Sequence, residues 1–526
     1  MTFFRALAPA LLAALLFAGA LPPFGQWWLA WVWMGPLFWK LWSGEQARGL
    51  WFGFRQGWLT GFLMFLATVW WVGHVTVPGM LALCVYLALY PAVWGALAAR
   101  LRPSSPGRGL LSALALALLW AGLEWARGAM PVMGFPWNGA AAPLVEMPGL
   151  RALAAWTGVT GLSALPVLFM SGLAVLWLLR GHRNVRGRAV LLCGVLALPA
   201  MLTLALWEKS PPSAAQVQVL LVQPNVPRTE PEPLPDPLTD EDVVRLRAEM
   251  DAEDDAQRAA AQSLTLAGLA AAQVKPQLIV WPESAVPGDV REVKNMQMFQ
   301  SLFDAGAQSI ISGVDANIPD DAGNQRPGNC AVLLTGDPRN FQLHAKVHLV
   351  AFGEYIPLRR QIPLLEKWLG HLIVRDFMPG TSLEPLLAEG LPGEIIPLIC
   401  FEDTIAPLAA KFVRERPQLI VNLTNDNWFQ QSTESAIHTL NARWRCVELR
   451  RPMVRASNTG VTCVIDTEGR ITDELPRWQP GVLHASVALP PGEVTFYARH
   501  GNVFSITAGL VGLALALVLI LTRPRP

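Results

Sequence analysis

Eight long apolar runs constrain this chain more than any other feature. Seven fall within the first two hundred residues, near 6–22, 27–43, 52–73, 79–99, 109–126, 162–180 and 188–207; the eighth covers Phe504 to Thr522. Each is close to the ~20 residues a helix needs to cross ~30 Å of hydrocarbon. Lipid offers no partners to backbone N–H and C=O groups, so segments of this kind span as helices. Pro9, Pro22, Pro23 and Pro36 interrupt or bound the first two runs. Composition agrees: charged residues make up 15% of the chain and hydrophobic ones 52%, whereas a soluble domain carries about a quarter charged residues. The net charge of +1 provides no basic field for nucleic acid.

Lys and Arg in short loops set the orientation. Arg5, Lys40 and Arg48, Arg100, Arg102 and Arg108, Arg180 to Arg188, and Arg523 and Arg525 fall at alternate boundaries, while the turns at Pro22-Pro23 and His74–Pro78 carry no Lys or Arg. Both termini are therefore expected in the cytoplasm, and the polar segment of about 208–500 outside it. Arg5, an apolar core and Ala18-Gly19-Ala20 have the outline of a signal peptide. The next run follows after a very short turn, however, so an uncleaved anchor is expected. The expected organisation is a helical membrane domain over 1–207, a catalytic domain over 208–500 and a final spanning helix over 501–526. Glu124 and Arg127, near a helix end, are expected to pair.

The outer segment has a different grammar. Gln216–Val222, Gln277–Trp281, Ser309–Val314, Ala331–Leu334, Ile395–Cys400, Gln418–Leu423 and Val461–Ile465 are short β-rich runs, and a charged helical stretch covers about 240–273. Short apolar strands alternating with helices predict a layered α/β fold. Three strands run into reactive groups: Pro282-Glu283-Ser284, Cys400-Phe401-Glu402-Asp403, and Thr424 through Phe429. Strand ends give such groups a rigid support.

Cys400 is the candidate nucleophile. A thiol needs a base or a cation beside it to react as thiolate. Glu283 can take the proton if burial raises its affinity for one. Lys346, in His344-Ala345-Lys346-Val347-His348-Leu349, supplies a cation for the thiolate or for the oxyanion of a tetrahedral intermediate.

Together, W-P-E-S from Trp281, K-V-H-L-V-A-F-G-E-Y-I-P from Lys346 and I-C-F-E-D from Ile399 resemble the nitrilase superfamily over about 216–490. That resemblance implies an α-β-β-α sandwich with Glu283 as general base, Lys346 as oxyanion stabiliser and Cys400 as nucleophile. It also implies support from Glu354, Glu402 and the backbone N–H of Phe401. With the apolar runs, and with Gly134-Phe135-Pro136-Trp137, Asn425 through Phe429 and Arg455 through Val461, the chain resembles the membrane branch, the apolipoprotein N-acyltransferases. The implied reaction moves an acyl chain from the sn-1 ester of a phospholipid to Cys400. The thioester is then passed to the α-amine of a diacylglyceryl-cysteine at a lipoprotein N-terminus. The implied location is the inner membrane with the catalytic domain on the periplasmic side, and the implied partners are the phospholipid donor, the lipoprotein acceptor and the bilayer. Trp428, Asn425 and His348 are candidate substrate contacts. Segment 356–392, with Ile362, Trp368 and Phe377, reads as a lid or lipid-facing loop. The chain departs from the family at Phe401, commonly Tyr, and in the acidic, Pro-rich stretch Arg228 to Asp240.

Taken singly, each residue also has a plainer reading. A lone Cys after an apolar run is more often a small buried hydrophobe. A lone Lys is most often a solvated cation, Glu283 could cap a turn, and Asn425 and Asp426 could simply form one. His348 reads as structural, and no metal or cofactor is expected. The six cysteines form no C-x-x-C pair. The competing function is a membrane-anchored nitrilase-like amidohydrolase, which would need one anchor at most.

Overall fold

The computed structural model describes residues 2–43, 49–181, 187, 194, 215–227, 240–320, 322–359, 361–362 and 376–523. The run expected near 188–207, most of 228–240 and the middle of 356–392 lie outside the described residues. The chain forms two compact units, one of Met1–Ser210, Ser432–Leu449 and Thr495–Pro526, the other of Pro211–Gln431 and Arg450–Val494.

The first unit is helical. Among the described residues, three helices are long and apolar enough to cross a membrane: Val77–Arg100, Pro106–Ala129 and Val503–Leu521. A fourth crossing is possible in length if Arg151–Leu162 and Ala164–Leu178, bent by 63°, act as one span. Leu7–Ala20 is a shorter apolar helix. The run expected over 27–43 is not one helix. A 3-10 turn covers Trp27–Trp31, and a separate helix begins at Gly35 with a proline in its first turn. Pro36 lacks the N–H that a continuing helix would need from it, so the chain restarts there. The 52–73 run likewise ends as a helix at Thr68, before a 3-10 turn over Trp70–His74.

Small residues let these helices touch through their backbones. A Cβ on Gly57 would lie 2.2 Å from the carbonyl oxygen of Pro91, and one on Gly53 would lie 2.2 Å from that of Gly95. Spacing of four residues puts both glycines on one face, the small-residue seam that membrane helices use. Glu124 and Arg127 do not pair as expected. Glu124 Oε1 instead accepts from Trp120 Nε1 and Ala140 N, each at 2.7 Å, and the Arg127 guanidinium lies 5.1 Å from the Phe65 ring centroid. A buried carboxylate is satisfied by two N–H donors, so it needs no cation.

The second unit is α/β. Its strands are β1 (Ala215–Gln223), β2 (Leu278–Val280), β3 (Ser309–Pro319), β4 (Gln325–Thr335), β5 (Asp337–Ala345), β6 (Glu394–Ile399), β7 (Gln418–Thr424), β8 (Met453–Ser457), β9 (Cys463–Ile465), β10 (Ile471–Glu474) and β11 (Gly481–Leu489). They form a six-stranded sheet, β11-β1-β2-β3-β4-β5, and a five-stranded sheet, β10-β9-β8-β7-β6. β1, β2 and β3 run parallel, as do β6, β7 and β8, while β3-β4-β5 is an antiparallel meander.

Period-two alternation divides the apolar side chains between two cores. Val217, Val219 and Leu221 of β1, with Ala331 and Leu333 of β4, share a cluster with Ile395, Ile399, Val421 and Val454 of the other sheet. Leu220, Val222, Val332 and Leu334 face the opposite way, onto Ala261 of the helix Asp240–Ala271 and Phe299 and Leu302 of the helix Val293–Asp304. The first sheet is thus apolar on both faces, and its ends carry the polar chemistry.

Candidate active site

Glu283 leaves the end of β2 in a loop fastened to β3. Trp281 N donates to Ile311 O at 2.9 Å, and Gly313 N donates to Pro282 O at 3.0 Å. A Cβ on Gly313 would come within 2.5 Å of Glu283 Cα, so only glycine lets the loop lie this close. Lys346 follows β5, and its N–H donates to Asn329 O at 2.8 Å. Both side chains are buried.

The Lys346 ammonium donates to Glu283 Oε1 at 3.2 Å and to Glu354 Oε1 at 2.9 Å. Asn329 Nδ2 donates to the same two oxygens, each at 2.8 Å. Glu354 Oε2 accepts from Val350 N at 2.7 Å, which fixes the second carboxylate to its own loop. Two carboxylates thus share one ammonium and one amide. Burial works against the charge on Lys346, but Glu283 and Glu354 outweigh it and hold the ammonium well above the usual lysine range.

Cys400 opens a 3-10 turn, Cys400–Thr404, directly after β6. Its φ is +50°, a conformation most side chains avoid. It is partly exposed, and its thiol lies within the fields of both charged groups. Burial and then the Glu283 carboxylate raise its pKa, while Lys346 and a hydrogen bond with Thr424 lower it; the balance lies well above the ordinary thiol value. The resting group is therefore a thiol, and a base must remove its proton.

Glu402 ties the two strand ends together. Its Oε2 accepts from Ile399 N at 2.9 Å, and its Oε1 accepts from Val347 N at 2.7 Å and His348 N at 2.9 Å. Burial pushes this carboxyl up to about 7, against the pull of those three N–H groups. The residues flanking Cys400 and Lys346 are thereby held by one side chain. The His348 ring stacks on Phe401 at 6.2 Å, and burial and the Lys346 charge lower its pKa.

The other sequence candidates sit on the loop after β7. Asn425 Oδ1 accepts from Asn427 N at 3.3 Å and caps the turn Asp426–Phe429. Trp428, on that turn, is 47% exposed. Nothing in the sequence marks Asn329 for this place. It stands inside β4 among residues of no distinctive pattern, and only the pairing of β4 with β5 brings it to the carboxylates.

A family profile described as "Apolipoprotein N-acyltransferase N-terminal domain" matches residues 13–173, and one described as "Carbon-nitrogen hydrolase" matches 244–494. The Apolipoprotein N-acyltransferase of Geobacter metallireducens is 31% identical over 94% of this chain and 92% of its own. That of Rhodopseudomonas palustris is 32% identical over 98% of this chain and 95% of its own. A solved CN-hydrolase superfamily protein from Xanthomonas campestris aligns with 59% of this chain and 99% of its own at 16% identity, with a TM-score of 0.35. With nearly full-length relatives above 30% identity and both halves of the architecture matched, the chain belongs to the apolipoprotein N-acyltransferase family.

Proposed function

We propose that the protein moves an acyl chain from a membrane phospholipid to the N-terminal amine of a diacylglyceryl-cysteine lipoprotein, through a thioester on Cys400. The observation that carries this reading is the buried Lys346 ammonium held by Glu283 and Glu354 within electrostatic reach of a protonated Cys400 thiol.

In the first half-reaction, Glu283 takes the thiol proton as Sγ attacks the sn-1 carbonyl carbon. Lys346 and the N–H of Phe401 stabilise the oxyanion. The ester C–O bond then breaks, the lysophospholipid oxygen receives the proton from Glu283, and the thioester remains. In the second half-reaction, the lipoprotein amine attacks the thioester carbon and gives a proton to Glu283. The C–S bond breaks, an amide forms and the thiol is restored. Glu354 and Glu402 hold the machinery in register, and Trp428, Asn425 and His348 line the substrate path. No step requires a metal or a redox partner.

The finer architecture belongs to the same reading. The two apolar clusters support an α-β-β-α layering of the catalytic unit. The Lys and Arg pattern supports cytoplasmic termini and a periplasmic catalytic unit in the inner membrane.

Supplying phospholipid with a labelled sn-1 chain tests the function. Mass spectrometry should find the label on Cys400 without acceptor, and on a diacylglyceryl-cysteine peptide once it is added. Cys400→Ser should abolish transfer. Cys330→Ser should not, because that thiol is buried and pushed up to about 12. Hydrolysis of a small amide with no acyl adduct from lipid would overturn the reading in favour of an amidohydrolase.

A further inference from the structure

The guanidinium of Arg455, on β8, is fully buried. Its Nη1 donates to Asp403 Oδ2 at 2.8 Å and to Asn422 Oδ1 at 2.6 Å, and its Nη2 donates to Asp426 Oδ2 at 3.2 Å. Each acceptor leads to the same residue. Asp403 lies on the 3-10 turn that Cys400 opens. Asn422 Nδ2 donates to Cys400 O at 3.1 Å and to Leu398 O at 3.4 Å. Asp426 Oδ1 accepts from the Thr424 hydroxyl at 3.1 Å, and that hydroxyl is the hydrogen-bond partner of the Cys400 thiol.

The main chain at Cys400 is strained, with φ +50°. Such a conformation persists only where its surroundings over-determine it. The planar fork of an arginine can fix three acceptors in one arrangement, which a lysine ammonium cannot reproduce. The constellation is also built from separate elements: β7, β8 and the turns after β6 and β7.

We propose that Arg455 is a positioning residue for Cys400. Acting through Asn422 and Asp403, it holds the nucleophile's main chain in its left-handed conformation, and so aims the thiol and the N–H that follows it. The proposal rests on Cys400 being the nucleophile.

The decisive variant is Asn422→Asp in the full-length protein in detergent micelles, with phospholipid added for the transfer assay alone. A carboxylate at 422 still accepts from Arg455 but cannot donate to Cys400 O. Two readouts are taken beside the thermal midpoint: kcat and KM for acyl transfer, and the pH profile of Cys400 alkylation by iodoacetamide. Asn422→Asp is expected to lower kcat by at least about tenfold with KM within about twofold, and to move the alkylation midpoint. Arg455→Lys should act in the same direction.

A folded Asn422→Asp protein with wild-type kcat and an unmoved alkylation midpoint overturns the proposal. So does a loss that simply tracks the folded fraction. If neither variant accumulates, Asp403→Asn, which keeps the turn and weakens one acceptor, decides by the same split between kcat and KM. Alkylation needs no lipid. If the wild-type protein transfers no acyl group, the alkylation profile still reads the positioning, and the two failures remain distinguishable.

Discussion

The carboxylates of Glu283 and Glu354 both lean on Lys346 Nζ and on Asn329 Nδ2. Lys346 neutralises one charge; Asn329 supplies the second donor that lets two buried acids coexist. Removing it leaves acceptors short of a partner, at a cost of about 1–3 kcal/mol. Asn329→Leu should therefore lower the thermal midpoint and slow thioester formation on Cys400 by at least about tenfold, because Glu283 loses its orientation. Single-turnover labelling with phospholipid measures the second effect, and a folded Asn329→Leu enzyme acylated at the wild-type rate would remove Asn329 from the site. Glu402 makes a prediction of a different kind. Its pKa is pushed from 4.5 up to about 7 by burial. The folded protein then binds a proton that the unfolded chain releases, so stability falls as pH rises from about 4.5 to about 7 and levels off above. Glu402→Gln has no such proton to lose, and it also turns an NH2 toward a backbone N–H that the carboxylate accepted. Its thermal midpoint should be lower overall and lack that decline. Parallel midpoint-against-pH curves for the two proteins would show that Glu402 is not the titrating group.

At the scale of elements, the glycine seam decides whether the helix Leu50–Thr68 can lie on the helix Leu89–Arg100. The 2.2 Å approach that a Cβ on Gly57 would make to Pro91 O is to backbone, which cannot swing aside. Gly57→Leu must separate the helices, and overpacking of this kind costs typically 1–3 kcal/mol or more. Gly107 has nothing within 4 Å of its added Cβ, and Gly107→Ala removes backbone entropy from the first turn of a helix. Fluorescence-detected size exclusion after heating should show Gly57→Leu losing its monodisperse peak well below the wild-type temperature and Gly107→Ala at or above it; equal behaviour of the two would mean the seam is not a packing contact. The same scale shows what could be read from the sequence. The strand ends at Glu283 and Cys400 were legible because a short apolar run halting at a polar residue is a local signal. β5 was not, because its alternation is confined to Phe341, Leu343 and Ala345 behind a polar start at Asp337, Arg339 and Asn340. The helix Glu434–Leu449 was missed for the opposite reason. Its Glu434, His438, Arg445 and Glu448 look like a surface, yet all are buried: His438 lies against Glu434 and Arg445 pairs with Glu448 within the helix, and Glu448 also accepts from Val159 N. Hydropathy reads an apolar run as one span even where a proline or a bend divides it, since it averages over the break.

For the whole molecule, the backbone passes between the two units at Ser210/Pro211, Gln431/Ser432, Leu449/Arg450 and Val494/Thr495. The α/β unit is therefore not a contiguous stretch, although a linear reading would excise it as one. The intervening helix Glu434–Leu449 packs in the helical unit: Trp444 Nε1 donates to Ala142 O at 3.0 Å, and Glu448 Oε1 accepts from Val159 N at 2.7 Å. A fragment covering 211–494 would carry this helix without the residues that bury it. Ile437, Leu440, Trp444 and Val447 would each forfeit about 1.5–3 kcal/mol of burial, and Glu448 would lose its backbone donor. Summed, that is on the order of 10 kcal/mol, comparable to the entire stability of an ordinary domain. The fragment is expected to aggregate or to require detergent, although nearly every catalytic contact lies within it. Sedimentation of the purified 211–494 fragment, with iodoacetamide labelling of Cys400 as the check on site integrity, measures this directly. A soluble monomer alkylated with the full-length pH profile would mean that the helix is dispensable to the catalytic unit, and that the two units are separable along the chain as well as in space.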